Sequence, residues 1–325
     1  MTKKGWKYTL LLFIPAFLFS CASKKEYSGY YRALPPKVKV HKNDHYEEII
    51  VIKKNQKLDK EEKLYINQET LKLGIYLRKD RDIKKFIYEY AIKNKNYTKK
   101  VLERGYLYIP TIKRIFKKYG IPEDLAYLPF IESGFDPYAT SVSGAAGLWQ
   151  FLRGTGKRFG LKINRYVDER RDPYKSTIAA AKYLKYLYNI FGRWDLAIAA
   201  YNCGEGCILN KIHWGAKNFW DIKRKLPPQT RDYLPRFLAA LVIAKNPSKY
   251  GIYVRKRPVY VKKKIVKRNI SLQKISYIYD IDYGLLKLYN AHFRKNIAIK
   301  GFNVYIPATS KPTVVKVRYT ETYIK

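Results

Sequence analysis

The sequence predicts a mainly α-helical protein that ends in a small α+β unit. Between residues 101 and 250 the helix start and stop signals are dense, and no long stretch alternates apolar and polar residues. After Asn246-Pro247 the pattern changes to β-forming residues mixed with lysines. The composition, 47% hydrophobic with 18 Gly and 15 Pro in 325 residues, excludes a disordered or collagen-like chain.

Residues 1–20 have the order of a secretory signal peptide. Three lysines lie within the first eight residues, and residues 9–20 are an apolar run too short to cross a hydrocarbon core of roughly 30 Å. Cys21 follows Leu18-Phe19-Ser20, which resembles the lipobox of bacterial lipoproteins. This likeness implies acylation of Cys21, and a plain cleaved signal or an uncleaved anchor are the alternatives. Cys21 is followed by Ala22-Ser23 and not by Asp, which in such lipoproteins of diderm bacteria indicates the periplasmic face of the outer membrane.

Residues 21–100 lead from this segment to the helical domain. Residues 21–45 are polar and predict a tether. Residues 46–100 predict a helical segment, because Ile83, Phe86, Ile87 and Tyr90 recur at the spacing of one helix face. We expect this face to pack against the domain that follows.

Residues 101–250 predict an all-helical domain. Residues 120–124 (GIPED) place a proline and two acids in the first turn of one helix. Asp172-Pro173 fits the N-cap and first position of another, which should end at Gly192. A shorter helix is predicted over residues 194–202 and a last one over residues 231–245.

The charge is strongly positive, with 66 Lys+Arg against 26 Asp+Glu and a formal net charge of +40. Such a charge attracts polyanions, and for an exported protein we favour anionic cell-wall polymers over nucleic acid, for which no recognition module is present. A solvated lysine surface is the alternative. The four histidines and three cysteines lack metal-ligand spacing, so neither a metal site nor a cofactor is expected.

Glu132 is the candidate for acid–base chemistry. It stands in LPFIESGF, residues 128–135, among large apolar side chains. Such neighbours desolvate a carboxyl group and raise its pKa, so that it can donate a proton near neutral pH. On this run alone, a charged residue at a helix end is the commoner interpretation.

Three further blocks follow Glu132-Ser133 in the sequence: GAAGLWQF at 144–151, AYNCGEG at 200–206 and TRDY at 230–233. In this order and spacing, over about residues 80–250, the chain resembles the lysozyme-like domain of soluble-type lytic transglycosylases, and most closely the membrane-bound D subgroup. The resemblance implies a lysozyme-like fold for the helical domain. It also implies peptidoglycan glycan strands as the partner of a monomeric enzyme.

The resemblance also assigns roles to six residues. It implies that Glu132 is the catalytic acid and base, and that the substrate-binding residues are Ser133, Gln150, Tyr201, Asn202 and Tyr233. The family cleaves the β-1,4 bond between N-acetylmuramic acid and N-acetylglucosamine and forms a 1,6-anhydro ring without water. One carboxylate serves both steps, unlike the paired carboxylates of most glycosidases.

A true muramidase would need a partner acid, for which Asp136 is the only candidate; we interpret Asp136 as a turn residue. A catalytically silent wall-binding scaffold is a further alternative, and the presence of Glu132 argues against it.

Cys203 and Cys207 lie four positions apart in the sequence. In an oxidising compartment this spacing permits a disulfide, and in a continuous helix their Cα atoms would be about 6 Å apart, at the limit of disulfide geometry. We expect two small buried thiols by default, and a disulfide between Cys203 and Cys207 is the alternative.

Residues 269–308 outline a strand, two short helices and a second strand. With Leu272, Asn290 and Gly301 at framework positions, this segment resembles a degenerate LysM repeat that has lost the usual G-D-T-L opening. The resemblance implies glycan binding, and a module that only supports the helical domain is the alternative. Residues 251–268 are predicted as a linker and residues 309–325 as a basic tail.

Overall fold

Helices dominate the computed structural model, which describes residues 60–76, 81–212, 216–256 and 259–308. The predicted signal peptide, the tether with Cys21 and the basic tail lie outside these residues. Within the described part of the chain, no helix is both long enough and apolar enough to span a membrane.

The α-helices and strands follow one another along the chain in this order: α1 (Lys60–Leu71), α2 (Arg81–Tyr88), α3 (Lys95–Gly105), α4 (Ile109–Lys118), α5 (Leu128–Glu132), α6 (Arg153–Arg158), α7 (Pro173–Phe191), α8 (Trp194–Cys203), α9 (Glu205–Leu209), α10 (Phe219–Ile222), α11 (Pro228–Lys245), β1 (Tyr260–Ile265), β2 (Ile270–Ser271), α12 (Leu272–Ile278), α13 (Tyr283–Tyr289), β3 (Ile297–Ala298) and β4 (Asn303–Ala308). A π-helical turn, Glu89–Lys93, continues α2, and a 3₁₀ turn, Glu123–Tyr127, precedes α5. The mainly α-helical class with a small strand-containing C-terminal part is confirmed.

Helix α7 forms where the sequence predicts it. The Asp172 carboxylate accepts hydrogen bonds from the backbone N–H groups of Tyr174 and Lys175, which satisfies two donors that the first turn leaves unpaired. The helix ends at Gly192, whose φ of 65° lies in the left-handed region that favours glycine. Because the Asp172 carboxylate that caps α7 is itself buried, it holds the first turn of the helix in the core.

Helix α11 is the most deeply buried element of the helical body. It begins at Pro228, three residues before the predicted start, because Pro227-Pro228 fits the N-cap and first helical position. Residues 237–244 are all buried, and the helix contacts α2, α5 and α8. It therefore connects the N-terminal helices with the segment that ends at Glu132.

The apolar face predicted in the N-terminal segment packs on this body. Ile83, Phe86 and Ile87 are buried on α2 against α11, and the Tyr90 ring packs edge-to-face on Phe130 with centroids 5.2 Å apart. The hydrophobic spacing thus identifies the packed face correctly.

The C-terminal unit consists of two small antiparallel sheets and two helices. Strand β1 pairs with β4 along six residues, and β2 pairs with β3 along two. Leu272, Ile275, Leu286, Phe293 and Val304 form its core. Strand β1 lies inside residues 251–268, the predicted linker, and its pairing with β4 makes it part of this unit.

The C-terminal unit is docked on the helical body through buried polar contacts. The Tyr305 hydroxyl donates to Asp172 Oδ2 at 3.1 Å, and its ring stacks on Tyr174 with centroids 4.5 Å apart. The Tyr289 hydroxyl donates to the carbonyl of Leu107 at 2.6 Å. These contacts fix the unit against the first turn of α7 and the α3–α4 connection.

Candidate active site

Glu132 is the last residue of α5, a five-residue helix that follows a 3₁₀ turn. The chain reverses directly after it, because Gly134 (φ 59°) and Phe135 (φ 58°) both adopt the left-handed region. The Phe135 N–H donates to the carbonyl of Pro129 at 3.0 Å, and its ring is fully buried. Phe135 thus anchors the turn in the core and holds Glu132 at its edge.

The carboxyl group of Glu132 is partly buried and receives one hydrogen bond from a side chain. Burial raises its pKa to about 7, while a hydrogen bond from the Tyr233 hydroxyl to Oε1 acts in the opposite direction. Tyr233 comes from α11 and is 5% exposed. The site therefore holds a carboxyl group that exchanges its proton near neutral pH.

Tyr201 reaches the same site from α8. Its hydroxyl donates to the carbonyl of Trp149 at 3.0 Å. Burial raises the pKa of Tyr201 well above its ordinary value, and the charge of Glu132 raises it further. Tyr233 thus contacts the Glu132 carboxyl group directly, whereas the Tyr201 hydroxyl binds the loop that carries Gln150.

Asn202 is held by a contact that the sequence does not reveal. Its Oδ1 atom accepts a hydrogen bond from the Thr230 hydroxyl, at 2.9 Å, at the start of α11. Thr230 is buried and stands in the TRDY block with Tyr233. The bond fixes the amide plane and leaves its N–H groups as the donors available to a ligand.

Ser133 binds the loop that carries Gln150 rather than the carboxylate of Glu132. Its hydroxyl donates to the carbonyl of Leu148 at 2.9 Å. Gln150 has a φ of 47°, and its Nε2 atom donates to the carbonyl of Gly147 at 2.9 Å. The loop thus keeps Gln150 in a strained backbone conformation close to Ser133.

The same loop is supported by a buried ion pair that sequence analysis missed. Arg170 pairs with Asp168 at 2.8 Å and donates to the carbonyls of Gly144, at 2.7 Å, and Phe151, at 3.1 Å. Gly147, with φ 82°, lies so close that a Cβ atom would stand 1.9 Å from the Arg170 carbonyl oxygen. In the sequence DERRD, these residues look like ordinary surface charges.

Asp136 is a turn residue, as the sequence predicts. Its Oδ1 atom accepts a hydrogen bond from the backbone N–H of Tyr138 at 2.8 Å, which is an Asx-turn. Only burial and the hydrogen bond from Tyr233 shift the pKa of Glu132. Among the described residues, no second carboxylate acts on Glu132 as a partner acid would.

Cys203 and Cys207 form a disulfide, with their Cα atoms 5.8 Å apart. The expectation of two free thiols is therefore wrong. The reason is local: α8 ends at Cys203, Gly204 takes a φ of 87°, and α9 restarts at Glu205. The bridge spans this break directly after Tyr201 and Asn202.

Two other features lie outside this constellation. A surface cavity of about 490 Å³, lined in part by Lys117, Tyr188 and Trp194, lies at the N-terminal end of α8, whereas Tyr201 and Asn202 lie at its C-terminal end. Across the described ranges, no group of three or more His, Cys, Asp or Glu residues could hold a metal ion.

Residues 110–222 match the family model of the transglycosylase SLT domain. The chain contains an SLT domain. The matched segment includes Glu132, Ser133, Gln150, Tyr201 and Asn202, and it ends before Tyr233. The likeness to lytic transglycosylases found in the sequence is thereby confirmed.

Several curated proteins are similar to this chain. Membrane-bound lytic murein transglycosylase D of Escherichia coli K12 is 41% identical over 167 residues, which cover 50% of this chain and 36% of that protein. Membrane-bound lytic murein transglycosylase C of Photorhabdus laumondii is 34% identical over 140 residues, 39% of each chain. The chain thus spans little more than a third of the length of these relatives.

Solved structures with similarity to the SLT domain include two lytic transglycosylases. An inactive mutant of Slt from Pseudomonas aeruginosa is 25% identical, with a TM-score of 0.37, and the match covers 43% of this chain and 24% of that one. The soluble lytic transglycosylase of 70 kDa from Escherichia coli is 27% identical, with a TM-score of 0.33, and the match covers 42% and 24%.

Proposed function

We propose that this chain is a peptidoglycan lytic transglycosylase with Glu132 as its single acid and base. The observation that carries the proposal is the state of Glu132: a partly buried carboxyl group with a pKa near 7, hydrogen-bonded by Tyr233. The SLT domain around it and the relatives named murein transglycosylases supply the substrate class.

In the first step Glu132 acts as general acid. A carboxyl group with a pKa near 7 is largely protonated below neutral pH and gives up its proton readily in the transition state. Glu132 donates this proton to the glycosidic oxygen as the bond from that oxygen to C1 of N-acetylmuramic acid breaks. The positive centre that develops at C1 is stabilised by the 2-acetamido group of the same sugar.

In the second step the Glu132 carboxylate acts as general base. It takes the proton of the muramoyl 6-hydroxyl while that oxygen bonds to C1 and closes the 1,6-anhydro ring. Glu132 ends the cycle protonated, so the proton given in the first step is recovered in the second. No second acid is needed, which agrees with the hydrogen bond that commits Asp136 to its turn.

The surrounding residues have distinct roles in this proposal. Tyr233 orients the Glu132 carboxyl group and keeps its pKa from rising further. Asn202 and Gln150 bind the sugar, the former through amide hydrogens left free by Thr230. Ser133 holds the Gln150 loop against the helix that ends in Glu132.

The proposal places the enzyme in the bacterial envelope, where murein is found. Acylation of Cys21, attachment to the periplasmic face of the outer membrane, a monomeric state and a LysM-like role for the C-terminal unit are further parts of it. We propose no nucleic-acid partner for the enzyme.

Digestion of purified sacculi by the wild-type chain and by Glu132→Gln tests this function. Mass spectrometry of the released muropeptides should find products lighter by one water than those of a muramidase. The Glu132→Gln chain should release none. Hydrated reducing ends would make the protein a muramidase, and no release by the wild type would make it a binding scaffold.

A further inference from the structure

The C-terminal unit has an edge that the proposed reaction does not use. Residues 265–271 run antiparallel to residues 296–303: the Gly301 N–H donates to the carbonyl of Val266 at 2.9 Å, and the Lys300 N–H donates to Asn269 Oδ1 at 2.8 Å. The pairing of β2 with β3 continues the same ribbon. We call residues 265–271 with 295–301 the cationic edge.

Four exposed cations lie on this edge: Lys267, Arg268, Lys295 and Lys300. In the part of the chain that the structure describes, none of the four has an acidic partner. The only acids within residues 259–308 are Asp280 and Asp282, and Asp282 caps α13. The positive charge of the edge is therefore not neutralised within its own unit.

The lysines of strand β1 have a simpler explanation than those of the edge. Lys262, Lys263 and Lys264 stand on a six-residue strand that pairs with β4, and charged side chains there prevent pairing with a further strand. Lys267 and Arg268 lie beyond that strand, in a tight connection before β2. Protection of a strand edge does not account for them.

Aliphatic side chains are interleaved with these cations and are exposed as well. Ile265 is 68% exposed and directly precedes Val266-Lys267, and Ile297 is 38% exposed between Lys295 and Lys300. All six side chains belong to a ribbon of seven residues per segment, which spans about 20 Å. A solvated charged face needs no exposed isoleucines, whereas an interfacial surface uses both kinds of side chain.

The docking contacts of the unit leave this edge uncovered. Tyr289 and Tyr305 face the helical body, and Arg294 is bound to Asn164 and Asp168 there. The isoleucines and the four cations are therefore exposed within the assembled fold.

We propose that the cationic edge binds a lipid surface that carries anionic phosphate headgroups. The four cations contact the phosphates, and Ile265 and Ile297 enter the boundary between headgroups and acyl chains. A soluble polyanion fits the charges equally well but leaves both isoleucines in water. This contact lies apart from Glu132 and adds a surface function to the proposed reaction.

Co-sedimentation of the full chain with lipid vesicles tests the proposal. The vesicles contain phosphatidylcholine alone or phosphatidylcholine with phosphatidylglycerol. Lys267→Glu with Arg268→Glu should weaken binding to the anionic vesicles by about tenfold or more. The matched control, Lys117→Glu with Lys118→Glu, makes the same change in net charge at exposed positions of α4 and should change binding far less. The N-terminal segment is identical in every variant.

A second pair of variants distinguishes lipid from soluble polyanion. Ile265→Ser with Ile297→Ser should weaken vesicle binding several-fold, and Leu152→Ser with Leu209→Ser, exposed residues of the helical body, should not. Equal losses in the two charge variants would overturn the proposal in favour of general attraction. Unchanged vesicle binding by the isoleucine variant, together with displacement by soluble polyphosphate, would assign the edge to a soluble polyanion.

Two controls keep these outcomes interpretable. Each variant should release muropeptides from sacculi at the wild-type rate, because none of the substituted residues lies in the site around Glu132. If the double Glu variant does not fold, Lys295→Gln with Lys300→Gln removes two charges of the same edge without reversing them. This second variant should then bind the anionic vesicles more weakly than the wild type does.

Discussion

The hydroxyl of Tyr233, in the second turn of α11, donates a hydrogen bond to Glu132 Oε1 at the end of α5. The two residues are separated by 101 positions, and the packing of α11 on α5 brings them together. Burial and this bond act in opposite directions on the pKa of Glu132, which stands at about 7.

Removal of that bond should shift the pH dependence of murein release. The rate should fall as pH rises above about 7, because the general acid loses its proton there. In Tyr233→Phe the carboxylate loses a donor that stabilises its charged form, so the falling limb should move up by one to two pH units, about the value of a hydrogen bond to an ionised group.

The pH profile of kcat/KM measures this shift. Tyr186→Phe is the matched control, since its hydroxyl donates to Glu205 at 3.1 Å and is not among the causes of the Glu132 shift. A falling limb at the same pH in Tyr233→Phe and wild type would contradict the assigned contact.

Glu132→Gln should stabilise the fold at alkaline pH. The pKa of Glu132 in the folded state, about 7, lies above its ordinary value of 4.5. Its favourable contribution is therefore complete below about pH 4.5 and is lost as pH rises through 7. Above pH 7 the variant should be more stable than wild type by up to about 3 kcal/mol, with no such gain at pH 4.

Denaturant unfolding of both proteins at several pH values checks this prediction. The difference in the free energy of unfolding should grow between pH 4.5 and 7 and then level off. A difference independent of pH would show that the Glu132 carboxyl group is not desolvated in the fold.

Two glycines of the loop that carries Gln150 should differ in their tolerance of alanine. In Gly147→Ala the new Cβ atom would stand 1.9 Å from the Arg170 carbonyl oxygen, so backbone must move, and we expect a loss of about 3 kcal/mol or more together with most activity. Gly144 also has a positive φ, 77°, but nothing lies within 4 Å of its Cβ position. Gly144→Ala should cost only the strain of a left-handed residue, about 1 kcal/mol.

Thermal unfolding and murein release in parallel test this pair. Similar losses in the two variants would mean that backbone conformation, and not the approach of Arg170, determines the requirement for glycine at position 147.

Local patterns in the sequence predict those parts of the fold that depend on neighbouring residues. The Asp172 cap, the Gly192 stop and the buried face of α2 each follow from residues within one or two turns. The apolar run around Glu132 likewise predicts a raised pKa, and burial of the carboxyl group raises it to about 7.

Contacts between distant residues are what the sequence does not disclose. The Thr230–Asn202 bond, the support of the Gln150 loop by Arg170 and the membership of β1 in the C-terminal unit all join segments far apart in the chain. The sequence leaves the disulfide open for a related reason: its geometry depends on the break at Gly204, and the spacing of Cys203 and Cys207 does not show whether the helix continues.

Digestion in water labelled with heavy oxygen tests whether Glu132 cleaves murein without water. If the 6-hydroxyl closes the ring, the new muramic acid ends should carry no label, whereas a muramidase run in parallel should label them fully. Cleavage without water should give unlabelled anhydro ends from the wild type and no new ends from Glu132→Gln. Labelled ends from the wild type, or unlabelled anhydro ends from Glu132→Gln, would contradict it.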